Sequence, residues 1–268
     1  MYLLKLPVRK NEKQLIKYFK NKGLDNLLNP LFEKPKNLNV NIYKTSGVIK
    51  PVLAELFFLY ELIILNNRLT ILELGSGFSS LIMSLALHEN SQQNSVSIND
   101  IRKLDLFKIY VLENEKKYLE ITKKRNKHYF EKLNINSKIS YNYSQTKMEL
   151  YKGSIVGAYL NLPMCNPDFV YLDGPSQFKI KGSVNGINFN HDDYTPIFCD
   201  LLKIEYIFNP GSIIVIDGRY HNANYLKLNF KRNWVYKHVK YVDKHIFYLN
   251  EKPLGHISKK IMNFYKKK

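Results

Sequence analysis

Apolar side chains in the first 44 residues fall into two short groups, near 15–19 and 24–32, set in Lys/Asn-rich sequence and punctuated by Pro30 and Pro35. This spacing predicts one or two short helices. Between 48 and 65, Val52, Leu56, Leu59, Leu62 and Ile63 recur at helical intervals and predict an amphipathic helix that stops at Asn66 and Asn67. The period then changes. Residues 69–74 (LTILEL) read as a strand, Gly75-Ser76-Gly77 as a tight turn and 78–88 as a helix. A polar excursion over 89–105 precedes a second strand at 108–112 (KIYVL), a helix at 115–133 and a third strand at 138–143. The fourth strand, 168–172 (DFVYL), ends at Asp173-Gly174-Pro175, and a Gly/Asn/Lys loop at 176–190 leads to a predicted helix at 192–208. A fifth strand, 212–216 (SIIVI), ends at Asp217-Gly218, followed by a helix at 223–231 and strands at 234–239 and 245–249 with a turn near Asp243.

Strands alternating with helices imply an α/β fold: a doubly wound, mostly parallel sheet of about seven strands with helices on both faces. The last two strands have no helix between them, so the sheet ends in an antiparallel hairpin. The expected organisation is an N-terminal helical cap (1–44), a main domain (45–250) and a basic C-terminal tail (251–268).

Composition narrows the class. The chain has 268 residues, 45% hydrophobic and 24% charged, enough for a sizeable core and unlike a disordered or fibrous sequence. Two cysteines, Cys165 and Cys199, make no disulfide framework, and the start shows no apolar h-region with a small-residue cleavage site. The stretch 52–65 is interrupted by Glu55 and Glu61 and is too short for a bilayer. A cytoplasmic protein is expected. The net charge of +18 sits at the ends: residues 1–50 hold 11 Lys/Arg against 3 Asp/Glu, and 218–268 hold 13 against 2. These ends could dock on nucleic acid or an anionic membrane. General Lys-rich usage explains them more simply, with Lys259, Lys260 and Lys266 to Lys268 as a solvated tail, since no nucleic-acid-binding signature accompanies the charge.

The chemistry concentrates at strand ends. A doubly wound sheet binds ligands beyond the carboxyl ends of its strands, where the strand order reverses. Gly75 and Gly77 permit a tight turn and a close backbone approach there. Glu73 lies in the first strand, and Glu113 closes the second, where a carboxylate takes both hydroxyls of a ribose. The dinucleotide pattern G-x-G-x-x-G needs glycine at 80, where the chain has Ser80. A carboxylate two residues before the first glycine suits a ligand with an amino group and a sulfonium better than a pyrophosphate. The segment ILELGSGFSS resembles the loop of class I S-adenosylmethionine-dependent methyltransferases, in the branch that writes it E-x-G-S-G-x-S. The strand order with a terminal hairpin is similar to that family's Rossmann-like fold, over residues 45–250. The resemblance implies S-adenosylmethionine as cofactor, with Glu73, Gly75, Ser76 and Gly77 at its methionine end and Glu113 on its ribose. The chain departs from the pattern at Ser79, which replaces a third glycine, and in the long spacing to Glu113.

DFVYLDGP and IIVIDGR also resemble strand ends of catechol-type O-methyltransferases, where two Asp and a following Asn hold a divalent metal. Gly218 replaces that Asn, although Asn222 and Asn224 are near. Mg²⁺ is therefore a secondary, disfavoured cofactor, because two carboxylates make a poor all-protein site, and no metal ligand is assigned. Catalytic candidates are Asp173, Asp217, Arg219 and His221, with His191 behind them. Asp173 serves as general base or holds the cofactor's amino group, and Arg219 holds an anionic acceptor or pairs with a nearby Asp. In His191-Asp192-Asp193-Tyr194 an Asp is expected to cap the following helix. Tyr159, Tyr171, Phe178 and Tyr194 are candidates for an acceptor pocket or for the core, and 176–190 is a candidate lid.

No N-P-P-Y-type segment follows the fourth strand, which argues against base N-methylation. The expected activity is methyl transfer to a hydroxyl or carboxyl of a small molecule or glycan. The rival expectation is a non-catalytic Rossmann-like module that docks on RNA or anionic membrane through its basic ends.

Overall fold

The computed structural model describes residues 4–24, 52–94, 98 and 101–267. Strands β1 (Thr70–Leu74), β2 (Lys108–Glu113) and β3 (Lys138–Tyr143) are followed by a hairpin of β4 (Thr146–Tyr151) and β5 (Ser154–Tyr159). Then come β6 (Phe169–Leu172), the short β7 (Ile180–Lys181) and β8 (Ile213–Asp217), and finally β9 (Trp234–Val239) and β10 (Lys244–Leu249). The helices are α1 (Glu12–Asn21), α2 (Leu53–Leu65), α3 (Phe78–Gln93), α4 (Lys116–Leu133), α5 (Asp200–Lys203), α6 (Tyr220–Asn229) and α7 (His256–Tyr265).

Seven strands make one sheet in the order β3-β2-β1-β6-β8-β10-β9. The first five run parallel, while β10 is antiparallel to both β8 and β9. β1 and β6 are buried along their whole length, as expected of strands covered on both faces. On one face Ile71, Ile109, Phe169 and Val215 pack against α2, α3, α4 and α1. On the other, Leu72, Val170, Ile214 and Phe247 meet α5 and α6. Helix α1 opens with a reciprocal cap, in which the Asn11 side chain accepts from the Gln14 N–H and Gln14 accepts from that of Asn11. The helix expected at 48–65 runs from Leu53 and is buried on nearly every side rather than amphipathic, wedged between α1 and α3. Its carboxylates are the exceptions: Glu61 accepts from the Tyr18 hydroxyl of α1, and Glu55 reaches the sheet's carboxyl end. The second apolar group, 24–32, falls mostly outside the described residues.

Four readings of the sequence are corrected. Residues 192–208 do not form one helix. Asp192 and Asp193 lie in an exposed turn and cap nothing, Pro196 keeps Thr195 out of helical conformation, and only the single turn α5 and a 3₁₀ turn at Glu205–Ile207 follow. The cause is tertiary: the segment runs beside β5, with Gly157 N–H donating to Ile197 and Cys199 N–H to Gly157. Second, 176–190 is more than a loop, since β7 pairs with β4 in a small sheet of order β5-β4-β7. The β4–β5 hairpin, absent from the sequence reading, turns on Lys152 and Gly153, both at positive φ (49° and 82°), as a two-residue hairpin turn requires. Third, α3 and α6 are displaced from the expected spans, α3 running on to Gln93 and α6 starting at Tyr220.

The fourth correction concerns the C-terminal tail, most of which is helix α7. Ile261, Met262, Phe264 and Tyr265 are buried, while Lys259 and Lys260 stay on the wet side. The helix covers Arg68, which is fully buried just before β1. The Arg68 guanidinium donates to the Gly211 carbonyl (2.8 Å) and stacks on the Tyr265 ring, 3.8 Å from its centre. Tyr265→Ala should therefore cost about 3–5 kcal/mol, read as a lower midpoint in urea unfolding, because it leaves both a cavity and an uncovered cation.

Candidate functional site

β1 lies between β2 and β6, so the strand order reverses beside it, the position at which doubly wound sheets bind ligands, and the carboxyl ends of these three strands lie together. Their ends are tied by backbone bonds. Gly75 N–H donates to Leu112 (2.8 Å), and the N–H groups of Asp173 and Gly174 both donate to Leu74 (2.9 and 2.6 Å). Gly75 has φ +117°, and a Cβ there would lie 2.7 Å from the Gly174 nitrogen; a Cβ on Gly174 would meet the Gly75 Cα at 2.7 Å. Two backbones therefore touch where no side chain fits. Gly77 differs. It is extended (φ −179°), and an added Cβ would meet nothing nearer than Ser79 Oγ at 3.5 Å. Among the described residues nothing in the packing requires glycine at 77.

Three carboxyl groups gather here. Glu113 Oε1 accepts from the N–H groups of Asn114 (2.8 Å) and Glu115 (3.0 Å), and Oε2 accepts from the Ser76 hydroxyl (2.7 Å). Burial raises its pKa against the pull of those donors. Glu73 is completely buried, with each oxygen accepting from a hydroxyl, Ser79 Oγ and Ser80 Oγ, at 2.5 Å. Burial, with Asp173 and Glu113 nearby, pushes it up to about 8. Asp173 is raised well above the ordinary carboxylate range, first by burial and then by Asp217. Asp217 in turn meets the ammonium of Lys244, its register partner across β8 and β10, and Lys244 also lies 3.2 Å from Glu55 of α2. Lys244 is fully buried.

The other predicted residues divide. Arg219 binds backbone through one nitrogen, Nη2, which donates to the carbonyls of Asp173 (2.5 Å) and Pro175 (3.1 Å) and so holds the turn after β6. His221 is exposed on the first turn of α6, and no hydrogen bond or ion pair among the described residues joins it to Asp173 or Asp217. His191 is exposed too, accepting from the Asp193 N–H. Tyr159 and Tyr171 are buried, Tyr159 donating to Leu112 (3.3 Å). Phe178 lies in a 3₁₀ turn at Gln177–Lys179, and Tyr194 packs on Phe189 beside an exposed loop. That loop is pinned, since Gln177 Nε2 donates to the His191 and Tyr194 carbonyls. The region does not fit a divalent cation. Lys244 already places a positive charge on Asp217, Asn222 spends its amide on both backbone groups of Phe198, and Asn224 is exposed.

Lys244, Glu55 and Asn114 were not singled out from sequence. Asn114 clamps β2 to the loop after β6, donating to the Ser176 carbonyl and accepting from its N–H. A carboxylate in the otherwise apolar 52–65 stretch was a usable signal for Glu55. Lys244 has its meaning only through register with Asp217.

No protein-family model matches this chain, and no curated protein does. Solved structures of similar outline include an O-methyltransferase from Bacillus cereus in complex with SAH (13% identity, 87% of this chain and 96% of that one, TM-score 0.44). Another is the O-methyltransferase TomG from Streptomyces achromogenes in complex with SAM (13%, 91% and 92%, TM-score 0.38). A third is a methyltransferase from Geobacter sulfurreducens (7%, 88% and 99%, TM-score 0.44). At such values the likeness is one of broad chain course.

The Glu73 carboxyl generates a pH prediction. Its folded-state value lies above the ordinary 4.5, so burying it costs nothing below that value and costs progressively more as pH climbs to about 8. Glu73→Gln keeps partners for both serine hydroxyls without the charge. Relative to the parent it should show little change in Tm at pH 4.5 and a gain of about 8–16 °C at pH 8, equivalent to about 4 kcal/mol. A constant difference across that range in thermal melts would contradict the assignment.

Proposed function

We propose that this protein is an S-adenosylmethionine-dependent methyltransferase acting on a hydroxyl of a small molecule or sugar. The observation that carries the reading is Gly77, at which no described residue requires a glycine, next to Ser76, whose hydroxyl donates to the Glu113 carboxylate at the sheet's switch point. Support also comes from the strand order, with its terminal antiparallel hairpin, and from the excess of carboxyl groups, which suits a cationic ligand.

In this reading Glu113 holds the ribose hydroxyls with the capacity left on Oε2, while Ser76 turns aside or shares the bond. Glu73 acts one layer back, fixing Ser79 and Ser80 so that the turn from Gly75 to Gly77 keeps its shape. When bound, the cofactor supplies a methyl group on a sulfonium. Methyl transfer is an in-line displacement that depends chiefly on positioning and on excluding water. Asp173, with its raised pKa, is the group suited to take the acceptor's proton. Asp217 and Lys244 set the charge next to it, and Arg219 holds the backbone that carries it. Lys244 is already engaged by Asp217 and Glu55, which favours a hydroxyl over a carboxylate acceptor.

Calorimetric titration with S-adenosylhomocysteine tests the reading. Micromolar binding is expected, weakened about 10- to 100-fold by Glu113→Ala, which removes hydrogen bonds to a charged group. Gly77→Ala should melt like the parent protein yet bind S-adenosylhomocysteine more weakly, since the added methyl enters the ligand's space. A folded protein that does not bind, or Glu113→Ala binding as the parent does, would overturn it.

A further inference from the structure

Away from these carboxyl groups, on the α6 face of the terminal hairpin, His238, Asp243 and His245 bring one nitrogen or oxygen each to within 4.8 Å of one another. His238 and His245 are a cross-strand pair of β9 and β10, with rings stacked 4.2 Å apart. Asp243 occupies the turn between the strands in the left-handed conformation (φ 45°), which aims its carboxylate back at the hairpin; Oδ1 lies 2.9 Å from His238 Nε2. Gly218 N–H donates to the Asp243 carbonyl (2.9 Å), and a Cβ on Gly218 would come within 3.2 Å of Asp243 Oδ2, so the turn is seated against the end of β8.

His245 supplies the second, independent observation. The residue is fully buried, and its Nδ1 is taken by the Tyr236 hydroxyl at 2.8 Å. Among the described residues its Nε2 is buried without a hydrogen-bond partner. An orphaned ring nitrogen in a native core calls for an explanation. Nδ1–H donating to the Tyr236 oxygen would leave a lone pair on Nε2, the arrangement that outer-shell partners impose on metal-binding histidines.

We propose that His238, Asp243 and His245 form a binding site for a borderline transition-metal ion of the Zn²⁺ class. Two imidazoles and one carboxylate make a ligand set suited to such an ion and poorly suited to Mg²⁺. An ion binds in the plane of each imidazole, so the stacked His238 ring turns about its side-chain bonds to offer Nε2. Its place on an edge strand, with a partly exposed side chain, permits this. The 2.9 Å gap between His238 Nε2 and Asp243 Oδ1 opens to about 3.3 Å, the ligand separation around a tetrahedral ion at about 2.0–2.1 Å.

The test uses the full chain stripped with a chelator and then titrated with Co²⁺, followed by visible absorption, and with Zn²⁺ against a chromophoric chelator. One ion per chain is expected, with the intense visible bands of four-coordinate Co²⁺. His238→Ala and Asp243→Asn, both at partly exposed positions, should each weaken Zn²⁺ by roughly tenfold or more and abolish the bands without lowering S-adenosylhomocysteine affinity. Absence of Co²⁺ bands and of Zn²⁺ competition in the folded parent overturns the site. So does Zn²⁺ affinity unchanged in both variants.

Discussion

The arrangement depends on one backbone contact, Gly75 against Gly174. Each occupies the space a side chain would need on the other, and the Leu74 carbonyl accepts two N–H groups from the neighbouring turn. This closeness lets β1 and β6 end side by side, so that Glu73 and Asp173 share an environment and the turn after β1 opens toward Glu113. A methyl at either glycine pushes backbone against backbone, where no rotamer change can relieve it. Interiors packed at this density pass such a displacement on rather than absorb it. The positions of the surrounding side chains therefore follow from two residues that have none.

Charge is organised around the same point. Glu55, Glu73, Glu113, Asp173 and Asp217 converge from α2, β1, β2, β6 and β8, answered by Lys244 and, through backbone, by Arg219. Burying so many like charges raises the pKa of those deepest in the protein, and the protons they retain are part of what makes the arrangement tolerable. Lys244 faces two of them from a strand that runs against the others. The antiparallel end of the sheet thus contributes chemistry as well as an edge.

Much of this was legible in the sequence. The seven main strands stand out as short apolar runs, four of them closed by Gly75, Glu113, Asp173 and Asp217, and the loop residues Glu73, Gly75, Gly77 and Glu113 do meet at one end of the sheet. What was hidden depended on partners distant in sequence. The β4–β5 hairpin turns on Lys-Gly, a weaker signal than Asn-Gly, and the 192–208 segment gives up helix for pairing with β5. Arg219 looked available because its targets are carbonyls, which sequence does not mark. Lysines in the C-terminal segment masked the apolar stripe of α7, whose Ile261, Phe264 and Tyr265 recur at helical spacing.

Arg68 carries a consequence for how the chain assembles. Its guanidinium has hydrogen-bond partners at Asn66 and Gly211, but the ring that covers it belongs to α7, and the neighbouring Asn67 amide reaches the Phe264 carbonyl across 197 residues. On a growing polypeptide the strand that begins the sheet is thus made long before the helix that shelters the charge at its foot. Without that helix the ring face of the Arg68 guanidinium would lie uncovered, so this one side chain couples the first strand to α7.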